Sequence, residues 1–152
     1  IYTLAHNRGL NVHCDGARIF TAHVETGISV AQYAQFSDTF SFCLAKGLGA
    51  PVGSGLTGPA ATIERAHLYR KMLGGGMRQA GILAAAGLYA LEHHVERLKD
   101  DHARARHFRK ELASLPGLRF TLPSPTNIVY IEIEDERRFA ERLKAHEVLV
   151  MA

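Results

Sequence analysis

The sequence predicts an α/β fold in which a mostly parallel sheet packs against helices, followed by the start of a smaller α+β unit. Two β-rich segments, "LNVHCD" at 10–15 and "DTFSFCLA" at 38–45, flank "ISVAQYAQF", whose apolar residues have roughly helical spacing. A strand, a crossover and a second strand in this order favour parallel pairing. Long segments with helical patterns then follow from Pro59.

The next elements are a third strand and a helix. "PVGSGLTG" has glycines at both ends and predicts a strand. Pro59 suits the first turn of a helix, and "ATIERAHLYRKML" continues the helical pattern until the three glycines at 74–76.

A long helical region comes next, as one helix or two consecutive ones. Nine positions, all apolar except His102, recur every three or four residues and predict a continuous buried face. They are Leu88, Leu91, Val95, Leu98, His102, Ala105, Phe108, Leu112 and Leu115.

A change of pattern after Pro116 and Gly117 predicts a second domain. "LRFTL" and "TNIVYIEI" resemble strands, and "DERRFAERLKAHE" resembles a helix. We therefore expect one domain over residues 1–116 and the beginning of a smaller one over 117–152. The chain begins without methionine and ends in the apolar "EVLVMA", so we expect it to be an internal piece of a longer protein.

Composition argues against several classes of partner. The 152 residues include 18 Lys and Arg and 15 Asp and Glu, a net charge of +3, and the basic residues are mixed with acidic ones. We expect neither nucleic acid nor a membrane as a partner, since no apolar run approaches the roughly 20 residues that span a bilayer. Two cysteines without a CxxC motif fit a reduced, cytoplasmic protein.

Lys46 is the only charged residue between Asp38 and Glu64. A lysine set among apolar residues and glycines indicates a function, because removing an ammonium group from water is unfavourable. Asp15 and Lys46 each follow a predicted strand, and adjacent parallel strands would bring both to one cleft. The pair could be a salt bridge, or a Schiff-base lysine with a carboxylate for a pyridinium nitrogen. Spacing alone favours the salt bridge.

Three segments change that balance. "HCDGARIF" at 13–20, "SFCLAKGLGAPVGS" at 41–54 and "RKMLGGGMRQAG" at 70–81 closely resemble the threonine aldolases of the β-eliminating lyase group. They occur in that family's order and at its spacing. The resemblance implies a pyridoxal 5'-phosphate (PLP) enzyme of the aspartate-aminotransferase fold type, fold type I, with residues 1–116 belonging to the large cofactor-binding domain.

The resemblance also assigns roles to individual residues. Lys46 would form the Schiff base with PLP, Asp15 would pair with the pyridine nitrogen, and Arg18 would grip the substrate α-carboxylate. A guanidinium suits that last role because it can bind a carboxylate through two parallel hydrogen bonds.

Further residues are implied to act around the cofactor. Gly53, with Gly47 and Gly49, would allow the backbone to approach it closely. Arg78, at a predicted helix start, would reach the cofactor phosphate of a neighbouring subunit, with Lys71 close by. We therefore expect a homo-oligomer, a dimer or a tetramer.

The sequence also departs from the family. Ala45 stands where the family often has serine, which removes a hydroxyl near the cofactor. The family's ring-stacking histidine would lie before Ile1, so none of the nine histidines takes that role. No histidine pair combines metal spacing with a third ligand, and we expect no metal.

The implied activity is cleavage of a β-hydroxy-α-amino acid, L-threonine or L-allo-threonine, to glycine and acetaldehyde. Two alternatives stay open: another PLP-dependent β-eliminating lyase or an aminotransferase, and an inert piece that serves only as a scaffold or subunit contact. Products separate the enzyme alternatives, because an eliminase releases a keto acid and ammonia.

Overall fold

A computed structural model describes residues 1–151. Contacts divide the chain into two compact units, one from Ile1 to Lys99 and one from Asp100 onward. In chain order the elements are α1 (Tyr2–His6), β1 (His13–Asp15), α2 (Ile19–Thr26), α3 (Val30–Ala34), β2 (Thr39–Cys43), β3 (Ser54–Thr57), α4 (Ala60–Met72), α5 (Gly81–His93), α6 (Leu98–Leu112) and α7 (Glu136–Lys144).

The sheet of the first unit has the order β1-β2-β3. Strand β1 pairs with β2 in parallel, with Asp15 opposite Ser41, so the predicted strand, crossover and strand are confirmed. The imidazole Nδ1 of His13 lies 2.9 Å from the hydroxyl of Thr39 and adds a side-chain link across the two strands.

Strand β3 is antiparallel to β2, so the sheet of the described residues is mixed. The link at 44–53 contains no helix and turns the chain straight back, with the Leu44 N–H donating to the Gly53 carbonyl at 2.9 Å. A parallel return would need a crossover of a dozen or more residues. The α/β class is confirmed, and the antiparallel third strand is the departure from a parallel sheet.

The crossover between β1 and β2 contains two short helices. Helix α2 ends at Gly27, whose φ of 72° allows a left-handed C-cap. Helix α3 begins at a capping box in which Ser29 and Gln32 satisfy each other's backbone N–H groups. The predicted helical segment is thus confirmed as α3, and α2 precedes it.

The helix predicted after Pro59 is confirmed as α4, although Pro59 is its N-cap and precedes the first turn. The predicted helical region forms α5 and α6, separated by a turn at 94–97. Its continuous buried face is only partly present. Leu98 and His102 are buried, whereas Leu88, Phe108 and Leu115 are exposed. The turn breaks the helical register, so residues on its two sides do not share one face.

The second unit has less regular structure than the sequence predicts. In place of two strands, Arg119 and Glu132 form one antiparallel bridge through two backbone hydrogen bonds of 3.0 and 2.8 Å. The predicted helix is confirmed as α7, capped by the Asp135 carboxylate. The domain boundary at residue 117 lies within this unit and stays a prediction.

A small apolar core lies beneath the segment that follows β2. Leu48, Ala50, Ala90 and Leu98 form it, and partly buried side chains surround them: Phe20, Val24, Leu44, Leu91 and Val95. The core therefore joins the chain around Lys46 to helices α2 and α5 and to the start of α6. Among the helices of residues 1–151, none has the length and apolar character needed to cross a bilayer.

Asp38 joins the starts of the first two strands and generates a pH prediction. Its carboxylate accepts the Val12 N–H at 2.7 Å and contacts the His6 imidazole at 2.9 Å. The Val12 hydrogen bond first, and then His6, hold the pKa of Asp38 below its usual value of 3.8. Its stabilising contribution is therefore present at neutral pH and is lost as pH falls through the lowered pKa.

We expect Asp38→Asn to lower the free energy of unfolding most at neutral pH. The difference from wild type should shrink as pH falls below about 3.8, where the unfolded carboxyl becomes protonated, and should vanish as pH falls through the lowered pKa of the folded carboxyl. Urea unfolding followed from pH 7 to pH 3 measures this, and a difference that stays constant over that range would contradict the account.

Candidate functional site

Asp15 and Lys46 reach the same edge of the sheet. Asp15 is the last residue of β1, and Lys46 comes three residues after the last residue of β2. Because the two strands are parallel neighbours, both chain segments leave the sheet on one side. The Asp15 carboxylate also accepts the Ala17 N–H at 3.0 Å, which shapes the turn that leads to Arg18.

Lys46 begins a tight turn. The Gly49 N–H donates to the Lys46 carbonyl at 2.9 Å, and the Ala50 N–H donates to the Leu44 carbonyl at 3.0 Å. Gly49 has a φ of 74°, a conformation that residues with a Cβ rarely adopt. The Leu48 side chain is 3% exposed and anchors the turn in the core.

Gly47 is needed for a different reason, which is close packing. A Cβ at this position would lie 2.8 Å from Cδ2 of Leu98, closer than non-bonded carbon atoms approach. The residue after Lys46 therefore sits directly on the start of α6, and the glycine lets the lysine segment reach the core.

Arg18 and Lys46 line the same cleft. Arg18 is the N-cap of α2, and its exposed side chain makes no capping hydrogen bond. The cleft is lined by Ala17, Arg18, Phe20, Thr21, Cys43, Lys46, Gly47, Leu48 and Leu98, and its volume of about 10 Å³ suits about one water molecule.

The simple salt bridge is not formed. Within residues 1–151, neither the Asp15 carboxylate nor the Lys46 amine has an ion-pair partner, and the Asp15 carboxylate accepts a backbone N–H. Both side chains are exposed at the sheet edge. The interpretation that spacing alone favoured is therefore wrong, and the charged groups are available to a ligand.

The other predicted site residues lie outside this cleft. Gly53 precedes β3 with a φ of 120°, and its carbonyl accepts the Leu44 N–H. Arg78 is exposed in the loop between α4 and α5, three residues before α5, so its placement at a helix start is wrong. The Lys71 side chain folds over Gly76, where a Cβ would lie 2.7 Å from its Cδ.

Sequence patterns did not single out three residues of the cleft wall. Phe20, Thr21 and Cys43 line it, and Phe20 also packs edge-on against Phe42 at 5.8 Å. They look like ordinary core or strand residues: Phe20 and Thr21 belong to α2 and come to the cleft through the pairing of β1 with β2, and Cys43 ends β2. His94 also lacks a sequence signal, since it lies in a helical segment with no functional motif, yet its Nδ1 lies 2.6 Å from the Leu48 carbonyl oxygen.

A second, larger cleft carries none of the predicted chemistry. It has a volume of about 490 Å³ and lies in the second unit, where Asp101, Arg104, Ala105, Phe108, Asn127 and Val129 line it. In the part of the chain that the structure covers, no three His, Cys, Asp or Glu side chains are grouped to hold a metal ion.

Comparison with known proteins gives one consistent family. A family model described as beta-eliminating lyase matches residues 1–136. The low specificity L-threonine aldolase of Escherichia coli K12 is 43% identical over 99% of this chain and 45% of its own length. The low-specificity L-threonine aldolase 1 of Arabidopsis thaliana is 41% identical over 93% of this chain and 40% of its own length. The chain thus spans somewhat less than half of these relatives.

A solved structure shows the same fold. The threonine aldolase of Leishmania major superposes with a TM-score of 0.77 at 19% identity, over 99% of this chain and 44% of that one. The three-stranded sheet and its helices are therefore part of the fold-type-I architecture that the resemblance implied.

The contact between Gly47 and Leu98 generates a stability prediction. We expect Gly47→Ala to lower the free energy of unfolding by about 1–3 kcal/mol, because the new methyl group overpacks the core. Leu98→Ala removes the atom it would meet, so the double variant should be more stable than the sum of the single effects by at least about 0.5 kcal/mol.

Gly81→Ala is the matched control, since a Cβ there meets open space within α5. It should keep or slightly raise stability. Chemical denaturation of the four variants measures these free energies of unfolding. Additive effects of Gly47→Ala and Leu98→Ala would show that the contact with Leu98 is not the cause of the destabilisation.

Proposed function

The chain belongs to the β-eliminating lyase family, and on that premise we propose that its protein is a PLP-dependent aldolase. The proposed reaction cleaves L-threonine or L-allo-threonine between Cα and Cβ to give glycine and acetaldehyde. The observation that carries the proposal is the shared cleft: Lys46 and Arg18 line it, and Asp15 ends the neighbouring strand at the same sheet edge.

The residues at this edge suit PLP by their chemistry. A primary amine can form a Schiff base with its aldehyde, a carboxylate can pair with its pyridine nitrogen, and a guanidinium can bind the carboxylate of an amino acid beside it. When bound, PLP supplies an electron-accepting ring that makes cleavage at Cα possible.

Each of the three charged residues then has one task. Lys46 would attach the cofactor, and the turn at 46–49 fixes the backbone from which its amine extends. Asp15 would hold the proton on the ring nitrogen by accepting its hydrogen bond, and the Ala17 N–H orients the Asp15 carboxylate. Arg18, at the N-terminal end of α2, holds the substrate carboxylate and so fixes which bond at Cα is presented for cleavage.

The remaining predicted residues complete the proposal. Gly53 would let the backbone before β3 lie close to the cofactor. Arg78, on an exposed loop, would bind the cofactor phosphate of a neighbouring subunit, with Lys71 nearby. Such sharing requires a homo-oligomer, a dimer or a tetramer, and the glycines at 74–76 give the loop the freedom to reach across. A cytoplasmic location stays a prediction from the cysteines.

The products decide between this reaction and its alternatives. We expect the purified protein, supplied with PLP and L-threonine or L-allo-threonine, to release glycine and acetaldehyde in equal amounts. Lys46→Ala should lower turnover by at least about 1,000-fold, because the group that attaches the cofactor is lost. Lys99→Ala, which removes an exposed lysine, should leave turnover unchanged.

A keto acid with ammonia would instead identify an eliminase, and transfer of the amino group to a keto acid would identify an aminotransferase. Absence of turnover in a folded sample that retains no PLP would favour a scaffold or subunit contact.

Arg18→Lys tests the substrate contact separately. Lysine keeps the positive charge but loses the planar pair of donors, so we expect KM for the amino acid to rise about 10-fold or more. Binding of PLP should change little, because Arg18 is proposed to contact the substrate. Steady-state kinetics and a PLP titration measure the two effects, and an unchanged KM would remove Arg18 from substrate binding.

A further inference from the structure

We propose that His94 is a positioning residue that holds the turn carrying Lys46, so that the lysine amine is presented to the cofactor. The role of the amine rests on the proposed function. The attachment of the turn to His94 rests on the geometry alone.

His94 is itself fixed by its place at the end of α5. It is the C-cap of that helix, and its backbone N–H donates to the Ala90 carbonyl at 2.9 Å. The Tyr89 ring meets its imidazole edge-on at 5.4 Å. The side chain is half-buried, so the position of the imidazole is set by the helix end and by an aromatic neighbour.

The imidazole makes a polar contact with the lysine turn. Nδ1 lies 2.6 Å from the carbonyl oxygen of Leu48, and because a carbonyl can only accept, Nδ1 carries the proton. Leu48 lies within the turn that the Gly49 N–H closes onto the Lys46 carbonyl. His94 therefore binds the turn two residues from the proposed nucleophile.

The turn needs such a contact because two of its four residues are glycines. The Leu48 side chain is buried and Gly47 lies on Leu98, and these contacts fix where the turn sits. Within the turn, the Gly49 N–H holds one side of the peptide between Leu48 and Gly49 by donating to the Lys46 carbonyl. Because the glycines at 47 and 49 leave the turn easy to deform, the hydrogen bond from His94 to the Leu48 carbonyl on the other side of that peptide ties the turn to the end of α5.

The chemistry of the contact provides a conservative replacement. Nδ1 of histidine is bonded to Cγ, and so is the amide nitrogen of asparagine, so His94→Asn can place an N–H donor at the same point. His94→Leu has a similar apolar bulk and no donor. His93→Leu is the control, since His93 is exposed, lies against Tyr89 at 4.3 Å and is 3.7 Å from the carboxylate of Glu92.

Two measurements test the proposal. The first is hydrogen exchange of the amides at 44–50 in the protein without cofactor. We expect His94→Leu to exchange about three- to tenfold faster than wild type, as loss of one hydrogen bond implies, and His94→Asn and His93→Leu to stay within about twofold. If His94→Leu does not fold, His94→Ala, which also lacks the donor, takes its place.

The second measurement is the rate at which PLP labels Lys46, trapped by borohydride and normalised to the exposed Lys99 in the same digest. His94→Leu should label Lys46 about three- to tenfold more slowly at an unchanged folded fraction, and His94→Asn should restore the rate. The proposal would be overturned if the amides at 44–50 of His94→Leu exchanged at the wild-type rate. It would also be overturned if His94→Asn labelled Lys46 as slowly as His94→Leu does. If wild-type Lys46 takes no label, the proposed function fails. The hydrogen-exchange rates still decide whether His94 holds the turn.

Discussion

The parallel pairing of β1 with β2 is the constraint on which the site depends. It places the ends of both strands at one edge, with Asp15 opposite Ser41 and Lys46 just beyond Cys43. A shift of one residue in this register would turn the side chain of each β1 residue to the opposite face relative to β2. The hydrogen bonds of Asp38 to Val12 and of His13 to Thr39 hold the two strands at their starts.

The site also requires that the turn at 46–49, which follows β2, be held in place although it pairs with no strand. Leu48 buries its side chain, Gly47 lies on Leu98, and His94 binds the Leu48 carbonyl. Apolar burial sets the depth of the turn, and the His94 hydrogen bond ties the peptide after Leu48 to the end of α5. Lys46 can then be exposed while its backbone is held in place by the contacts of Gly47 and Leu48.

Much of this arrangement could be predicted from the sequence. The strands, the crossover and α4 follow from local patterns, and Lys46 stands out because its neighbours are uncharged. The missing salt bridge could not be predicted, since spacing says nothing about the Ala17 N–H that Asp15 accepts. The prediction of a continuous buried face was wrong because a turn at 94–97 interrupts the helical period. That same turn lets His94 contact the Leu48 carbonyl, a contact between distant residues that no local pattern contains.

The central claim is that Lys46 is the amine that attaches PLP. Borohydride reduction of the protein with PLP, followed by peptide mass mapping, tests it most directly. The account predicts a reduced pyridoxyl group on the peptide that contains Lys46, and its absence from that peptide in Lys46→Ala. Stable labelling of another lysine with Lys46 unmodified, or no labelling of a folded protein, would contradict it.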